Sequence, residues 1–530
     1  MIKNIRPLVF FPTFLILMAA LVFSLVDLAG FTALTGAINN SILQHFSWLF
    51  SLGSFYLLVL IVITYFSKLG NIRIGGESST PRINKKRWFM IVLCTTLAVG
   101  VLFWTTAEPI YHIYGPPESL GIEPGSANAT LFAISAMFLH WGPTPYAIYC
   151  VPALIFALAF YNLKLPFSIS SSLRPVFGRY LTPQVCDVID ALALYSLVVG
   201  MASSLGTGAL TLVGGVSQFV EIERNMFTLG LFIAVIVGTF IFSAASGLIK
   251  GIARMSQANF WMLIALFVFV LFAGPTTYIL ALGVEGLGEF IQSFFRLSLF
   301  TGQAANDPWP QWWSVFYWAV WFAWAPITAM FLGKIARGYT VKEFIQVNLI
   351  YPSLFIMVWV SVFSSTAIYM DAQSNGGLYT VLNEQGIEQL LYHIMGQLPF
   401  SGITSLFLIL IAFISYVTAA DSSTDAIGDL CTKDFDSESD EGTSLPIKIL
   451  WGGVIGLVAW IMVSTVGING VKQLSNLGGL PATVIILACS LTLIRWLRKP
   501  ELLTSDAHQN EMAQSLDDNN AGGEPVYEKL

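Results

Sequence analysis

The chain has 530 residues, of which 55% are hydrophobic and only 11% are charged. Soluble domains carry about 25% charged residues, and a mean hydropathy of +0.72 is typical of integral membrane proteins. The net charge of −6 provides no basic surface for a nucleic acid, so the composition excludes both a soluble enzyme and a nucleic-acid-binding protein.

Twelve apolar runs follow one another along the chain, and most approach the roughly 20 residues that cross a bilayer as a helix. Short polar loops separate them, rather than soluble domains. The runs cover residues 9–28, 46–66, 88–107, 129–161, 185–206, 226–248, 260–282, 312–335, 344–368, 401–420, 447–466 and 479–496. The sequence therefore predicts an all-α integral membrane protein with twelve transmembrane helices.

The distribution of Lys and Arg predicts the orientation of these helices, because positively charged loops are retained on the cytoplasmic side of a membrane. With the N-terminus inside and twelve crossings, all 25 Lys and Arg residues lie in inner segments except Arg224, Arg296 and Lys472. An odd number of crossings would remove this asymmetry. We therefore predict a multi-pass protein of the inner (plasma) membrane with both termini in the cytoplasm.

Five segments are expected along the chain. Residues 1–87 hold the cytoplasmic N-terminus with helices 1 and 2, and residues 88–282 hold helices 3–7. Residues 283–311 form an outer amphipathic connector, which is too polar to span the bilayer and should lie on its surface. Residues 312–496 hold helices 8–12, and residues 497–530 form an acidic, disordered cytoplasmic tail.

A weak internal echo indicates a repeat. The third run contains WTTAEPI (104–110) and the eighth contains WFAWAPI (321–327), which share Trp, Pro and Ile in register. Helices five apart cross the membrane in opposite directions, as an inverted five-helix repeat requires, and such transporters hold their substrate near the midplane. The glycine-rich stretch at residues 200–215 is compatible either with tight helix packing or with a bent, moving helix.

Two aromatic clusters interrupt the apolar pattern, HWGPTPYAIY (140–149) and FYWAVWFAWAP (316–326). Electron-rich rings attract a cation at roughly 0.5–2 kcal/mol per contact, so clusters that face each other would suit a quaternary ammonium or sulfonium group. Neither cluster contains a mid-helix acidic residue, which agrees with such a ligand. Interface belts and core packing are the alternative interpretations of these rings.

Other classes of function and site receive less support. A membrane-embedded enzyme would need a nucleophile with its base or clustered metal ligands, and the motifs HExxH and GxSxG are missing. The five histidines are not grouped as metal ligands and the five cysteines form no CxxC pair, so we predict no metal, no cofactor and free thiols. A channel is the other rival, and saturable uptake with counterflow would distinguish a carrier from it.

At these motifs the sequence resembles the betaine/choline/carnitine transporters, and the resemblance extends over nearly the whole membrane portion. Besides the two aromatic clusters it rests on FWTTAEPIYHIYGPP (103–117), LPFSISSSLRPVFG (165–178), GLIKGIARMSQAN (247–259), GKIARGYTVKEF (333–344) and VTAADSST (417–424). The resemblance implies a twelve-helix plan with a LeuT-like inverted repeat of helices 3–7 and 8–12. It also implies homotrimers and uptake of an onium compatible solute.

The resemblance further implies which residues bind the substrate. Trp321 and Trp324 would face it, and Trp141, Tyr146 and Tyr149 would complete the cage, whereas Trp318 is expected to be structural. Two positions depart from the family pattern. Val320 replaces an indole and Tyr146 stands where tryptophan is usual, so Val320 also belongs to the predicted site and the substrate is not restricted to glycine betaine. Choline, carnitine and dimethylsulfoniopropionate remain candidates.

The coupling ion is predicted from the same resemblance. Sodium-coupled relatives read TSADS where this chain has residues 418–422, so Thr418 is retained while Ala419 lacks the second hydroxyl. A backbone carbonyl near Leu97 and the hydroxyl of Ser415 would supplement Thr418. Sodium symport is the favoured prediction, with proton symport or ion-independent exchange of onium compounds as alternatives.

Overall fold

The computed structural model describes residues 5–96, 100–245, 249–432 and 445–503. This part of the chain is almost entirely helical, because in a bilayer a helix satisfies its backbone N–H and C=O groups internally. The α-helices are α1 (Pro7–Val26), α2 (Leu28–Phe66), α3 (Lys85–Thr96), α4 (Gly100–Tyr114), α5 (Ala127–Trp141), α6 (Pro143–Tyr161), α7 (Arg174–Phe177), α8 (Pro183–Val216), α9 (Met226–Ala245), α10 (Ile249–Ala273), α11 (Thr276–Ser298), α12 (Trp309–Trp312), α13 (Ser314–Lys334), α14 (Val341–Ile345), α15 (Tyr351–Gln373), α16 (Gly377–Glu384), α17 (Ile387–Gly396), α18 (Ser401–Cys431), α19 (Leu445–Thr465) and α20 (Ile468–Arg498).

The number of membrane spans agrees with the prediction of twelve. Over the described residues, ten helical segments are long and apolar enough to cross a membrane, and the total is twelve if each of two bent pairs counts as one span. The bent pairs are α3 with α4, at 58°, and α10 with α11, at 106°. The predicted spans 129–161, 312–335 and 344–368 each consist of two or more successive helices in the structure.

The structure differs from the sequence prediction at the end of the seventh span. The run at residues 260–282 suggested one helix, but α10 ends at Ala273 and α11 begins at Thr276. Pro275 lies between them, and proline both lacks an N–H donor and disfavours helical backbone in the residue before it. The amphipathic connector therefore starts at residue 276 rather than 283, and it packs against α5 and α15.

Helix packing is consistent with an inverted five-helix repeat. In the predicted repeat, α3–α4, α8 and α10 of the first half correspond to α13, α18 and α20 of the second. The contact of α8 with α13 has its counterpart in α3 with α18, and α13 with α20 has its counterpart in α3 with α10. The pairs α6–α13 and α4–α15 correspond in the same way, as do α8–α20 and α10–α18.

Ion pairs near the ends of helices join segments that the charge distribution assigns to the same side of the membrane. The Arg6 guanidinium lies 2.6 Å from Asp187 and 2.7 Å from Asp190, which connects the N-terminal segment to the start of α8. On the other side, Arg224 lies 2.7 Å from Glu388. The predicted sidedness is therefore self-consistent, and the cytoplasmic location of the termini stays a prediction.

Candidate functional site

A break between α5 and α6 positions the first aromatic cluster. The Gly142 N–H donates to the Phe138 carbonyl oxygen at 2.9 Å, and a proline follows at the first position of α6, where a helix needs no N–H partner. A Cβ atom at residue 142 would lie 2.4 Å from the same carbonyl oxygen, so this backbone requires glycine. Trp141 consequently ends α5, and Tyr146 and Tyr149 lie in the first two turns of α6.

Trp321 of α13 joins the two aromatic clusters. Its ring centroid lies 4.9 Å from that of Tyr149, 5.5 Å from that of Tyr146 and 6.1 Å from that of Trp141. The interplanar angles of 58°, 55° and 77° avoid face-to-face stacking, as the charge distribution of aromatic rings favours. Two segments that are distant in sequence thus form one aromatic wall where α6 packs against α13.

A cavity of about 70 Å³ lies against this wall, bounded by α3, α4, α5, α6, α8, α13 and α20. The described residues that line it include no charged side chain and combine rings with hydroxyl groups. The lining residues are Thr95, Thr96, Gly100, Val101, Trp104, Trp141, Tyr149, Gly200, Ser203, Ser204, Thr207, Phe316, Tyr317, Val320, Trp321, Trp324 and Val471. Small-molecule sites usually occupy roughly 300–1,000 Å³, so this cavity has to widen before it can hold a solute.

Trp324 reaches the cavity because α8 carries a glycine opposite it. A Cβ atom at residue 200 would lie 3.2 Å from Trp324 Cδ1, 3.3 Å from its Nε1 and 3.2 Å from the Cβ of Ala323. Gly208 likewise lies close to the Tyr416 ring on α18. Because α8 continues as one helix through the glycine-rich stretch, these residues serve close helix approach in this conformation.

The structure brings most of the predicted substrate-binding residues together. Tyr146 is fully buried and packs against Trp321 without lining the cavity. Trp318 is also fully buried and lies outside the lining. The other predicted residues line the cavity, namely Trp141, Tyr149, Val320, Trp321 and Trp324.

A buried carboxylate contacts the cage through Trp141. Trp141 Nε1–H donates to Glu108 Oε2 at 3.0 Å, while Glu108 Oε1 lies 3.0 Å from His112 Nε2 and 2.6 Å from His140 Nδ1. Glu108, His112 and His140 are all fully buried. An ionised carboxylate can only accept hydrogen bonds, so both imidazoles donate to it, and His140 Nε2 can accept from the Ser314 hydroxyl at 2.8 Å. These donors offset the cost of burying the charge.

The sequence analysis predicted that the histidines are not grouped as metal ligands, but it did not anticipate that two of them lie together. His112 and His140 converge on Glu108, and one ligand-type atom from each of these three residues lies within 4.8 Å of the others. The contacts have hydrogen-bond lengths, and the second Glu108 oxygen is taken by an indole, so we assign the cluster as a hydrogen-bond network. The sequence contained a signal for this cluster, since Glu108 lies four residues before His112 in a membrane helix. Ionisable residues at membrane depth are usually functional.

Two of the three predicted ion ligands, Ser415 and Thr418, lie on α18. Leu97 falls outside the described residues. Ser415 is buried, and its hydroxyl donates to Asn259 Oδ1 at 3.1 Å and accepts from Asn259 Nδ2 at 3.0 Å. The Thr418 hydroxyl lies 2.8 Å from the Ile414 carbonyl oxygen and 3.1 Å from that of Ser415. α18 contacts both α3 and α10, and the hydrogen bonds between Ser415 and Asn259 join α18 to α10.

The chain is similar to a known family and to several known transporters. Residues 8–502 match the family described as betaine/carnitine/choline family transporter. Similar proteins include the ectoine/hydroxyectoine transporter of Virgibacillus pantothenticus, 29% identical over 86% of this chain and 89% of that protein. The glycine betaine transporter of Acinetobacter baylyi is 28% identical over 93% of this chain and 74% of its own length. The high-affinity choline transport protein of Escherichia coli K12 is 28% identical, over 97% and 75% respectively.

A solved structure is also similar over most of the chain. It is the substrate-bound outward-open state of a Na⁺-coupled sialic acid symporter, with 15% sequence identity and a TM-score of 0.41. The match covers 88% of this chain and 83% of the symporter chain.

Proposed function

Because the chain belongs to the betaine/carnitine/choline transporter family, we propose that it imports a quaternary ammonium or sulfonium compatible solute by secondary active transport. The proposed substrates are glycine betaine, choline, carnitine and dimethylsulfoniopropionate, and the names of similar proteins add ectoine to the compounds worth testing. The relatives are named as transporters and not as enzymes. Alternating access around the aromatic cage is the proposed mechanism.

The observation that carries this proposal is an aromatic cavity whose lining, over the part of the chain that the structure describes, includes no charged residue. Trp141, Tyr149, Trp321 and Trp324 line it together. A primary ammonium would need hydrogen-bond acceptors or a carboxylate there, whereas a methylated onium group has no strong donor and gains from ring faces. The site therefore supports an onium ligand over an amine or a metal cation.

Sodium is the proposed coupling ion. Ser415 and Thr418 provide neutral oxygen atoms on α18, and the resemblance of residues 418–422 to sodium-coupled relatives supports their role, with a carbonyl near Leu97 as a further ligand. Proton symport and ion-independent exchange are the alternative proposals. We also propose a plasma-membrane location with both termini cytoplasmic, and a homotrimer, on the basis of the charge distribution and the family resemblance.

Uptake assays in cells that lack their own onium transporters test the proposal. Labelled glycine betaine should enter saturably, unlabelled substrate should drive counterflow, and choline, carnitine, dimethylsulfoniopropionate and ectoine should compete to different extents. Replacing sodium by potassium should reduce uptake. A channel would show no counterflow, an exchanger would be insensitive to sodium, and a proton symporter would respond instead to a proton ionophore. Failure of every onium compound to bind or enter would reject the proposed function.

A further inference from the structure

A second cavity, of about 500 Å³, adjoins the aromatic cage, and Phe316 lines both. We call this cavity the outer vestibule. Its wall comes from α2, α4, α12, α13 and the start of α20. It contains Lys472, which the charge distribution assigns to the outer side of the membrane, so the vestibule lies on the path by which a solute would reach the cage from outside.

The Lys472 ammonium occupies an aromatic recess within this vestibule. Lys472 Nζ lies 4.1 Å from the ring centroid of Trp313, 5.1 Å from that of Phe316 and 5.7 Å from that of Trp104. It also donates to the Trp312 carbonyl oxygen at 3.2 Å. An ammonium carries three N–H donors, so two remain available for a ligand. The protein's own cation thus fills the position that an onium group would take against these rings.

Among the described residues that line the outer vestibule, Lys472 is the only charged one, and the other polar lining groups include Asn40, Gln311 and Gln473. No carboxylate among the described residues lies within 4 Å of its ammonium. Glu108 interacts with it electrostatically, but that carboxylate already accepts hydrogen bonds from Trp141 and the two histidines. The vestibule therefore presents one positive charge to an entering solute.

We propose that Lys472 selects zwitterionic onium solutes over purely cationic ones by pairing with the carboxylate of the entering substrate. This inference rests on the proposed function and narrows its substrate class. A cation without an anionic group, such as choline, meets like-charge repulsion and finds the recess occupied. A solute that carries a carboxylate gains a charge-assisted hydrogen bond from the free donors of the ammonium. Glycine betaine, carnitine and dimethylsulfoniopropionate belong to the favoured class.

A pair of ligands that share the onium group but differ in the carboxylate charge provides the test. Glycine betaine and its methyl ester share the trimethylammonium group, but the ester is a cation. Their competition against labelled substrate is measured in wild type, Lys472→Gln and Lys472→Arg. Arg296→Gln serves as the control, since Arg296 is another outer cation and its nearby partner is Ser293 on the same helix. Surface expression is measured for every variant.

The wild type and Lys472→Arg should prefer glycine betaine to the ester by roughly tenfold or more, which corresponds to about 1.4 kcal/mol. Lys472→Gln should reduce that ratio about tenfold, and Arg296→Gln should leave it unchanged. An unchanged ratio in Lys472→Gln would overturn the inference. If Lys472→Gln does not reach the membrane, equal competition by the two ligands in wild type would overturn it as well. The absence of any onium binding in wild type would instead reject the proposed function.

Discussion

Replacing Glu108 with glutamine should weaken substrate binding by misplacing Trp141. Glu108 Oε1 accepts from His112 and His140, while Oε2 accepts from the Trp141 indole N–H. A glutamine side chain has one acceptor oxygen, and the two imidazole N–H groups donate to it. Its NH₂ group therefore faces the indole N–H. The change removes a hydrogen bond to a charged group, worth about 1.5–3 kcal/mol, and sets two donors against each other.

The expected loss of affinity follows from the cage. If Trp141 turns away, the substrate loses one aromatic wall, worth roughly 0.5–2 kcal/mol, or about two- to thirtyfold in Kd. Binding is measured on purified protein for Glu108→Gln, Trp141→Phe and the double variant. Glu388→Gln is the control, because Glu388 is also buried but pairs with Arg224, away from the cage lining. It should lower stability without changing Kd.

The double variant decides whether Glu108 acts through Trp141. If it does, the double variant binds no more weakly than Trp141→Phe alone, because residues in one network are not additive. Additive losses, or an unchanged Kd in Glu108→Gln, would refute the positioning role.

Four further outcomes are expected. Trp321→Ala should weaken substrate binding by about two- to thirtyfold in Kd, and normal binding would remove the cage as the site. Thr418→Ala should raise the sodium concentration that gives half-maximal uptake. Unchanged sodium dependence would show that this hydroxyl is not a sodium ligand. Gly200→Ala should reduce the affinity for substrate by displacing the Trp324 indole. A Kd equal to that of wild type would show that α8 moves and the indole stays in place. Burial raises the pKa of Asp307, but hydrogen bonds from Ser119 and the Trp309 N–H outweigh it and leave that pKa below its ordinary value. Asp307 therefore stabilises the protein above about pH 4, and this contribution is lost as the pH falls further. In Asp307→Asn the melting temperature should therefore change less between pH 6 and pH 3 than it does in wild type.

Much of the membrane architecture could be predicted from the hydropathy and charge of continuous segments of the sequence. A bilayer requires long apolar helices, so the number of spans follows from the apolar runs along the chain. The distribution of Lys and Arg predicts the sidedness, which stays a prediction. Helix interruptions were harder to predict. Pro143 and Pro145, which follow the Gly142 break, are residues typical of a helix interruption. The turn at Pro275 was missed because the apolar run continued past it to residue 282.

The aromatic residues of the candidate site were recognisable by type, but their arrangement was not. Neither cluster shows in its own spacing that Trp141 and Tyr149 meet Trp321, because that contact depends on how α6 packs against α13. Tyr146 illustrates the limit of motif reasoning. It belongs to the same motif as Tyr149, yet it packs behind Trp321 while Tyr149 lines the cavity.

The membrane spans and the two aromatic clusters could be recognised in the amino-acid sequence, since hydropathy, charge and motifs are properties of continuous segments. The contacts of His140 with Glu108, and of Lys472 with the rings of Trp313 and its neighbours, became known from the packing of the helices. The physical reason is that hydrogen bonds and cation–π contacts act over a few ångströms between side chains on different helices. Helix packing, which no single segment encodes, brings those side chains within reach.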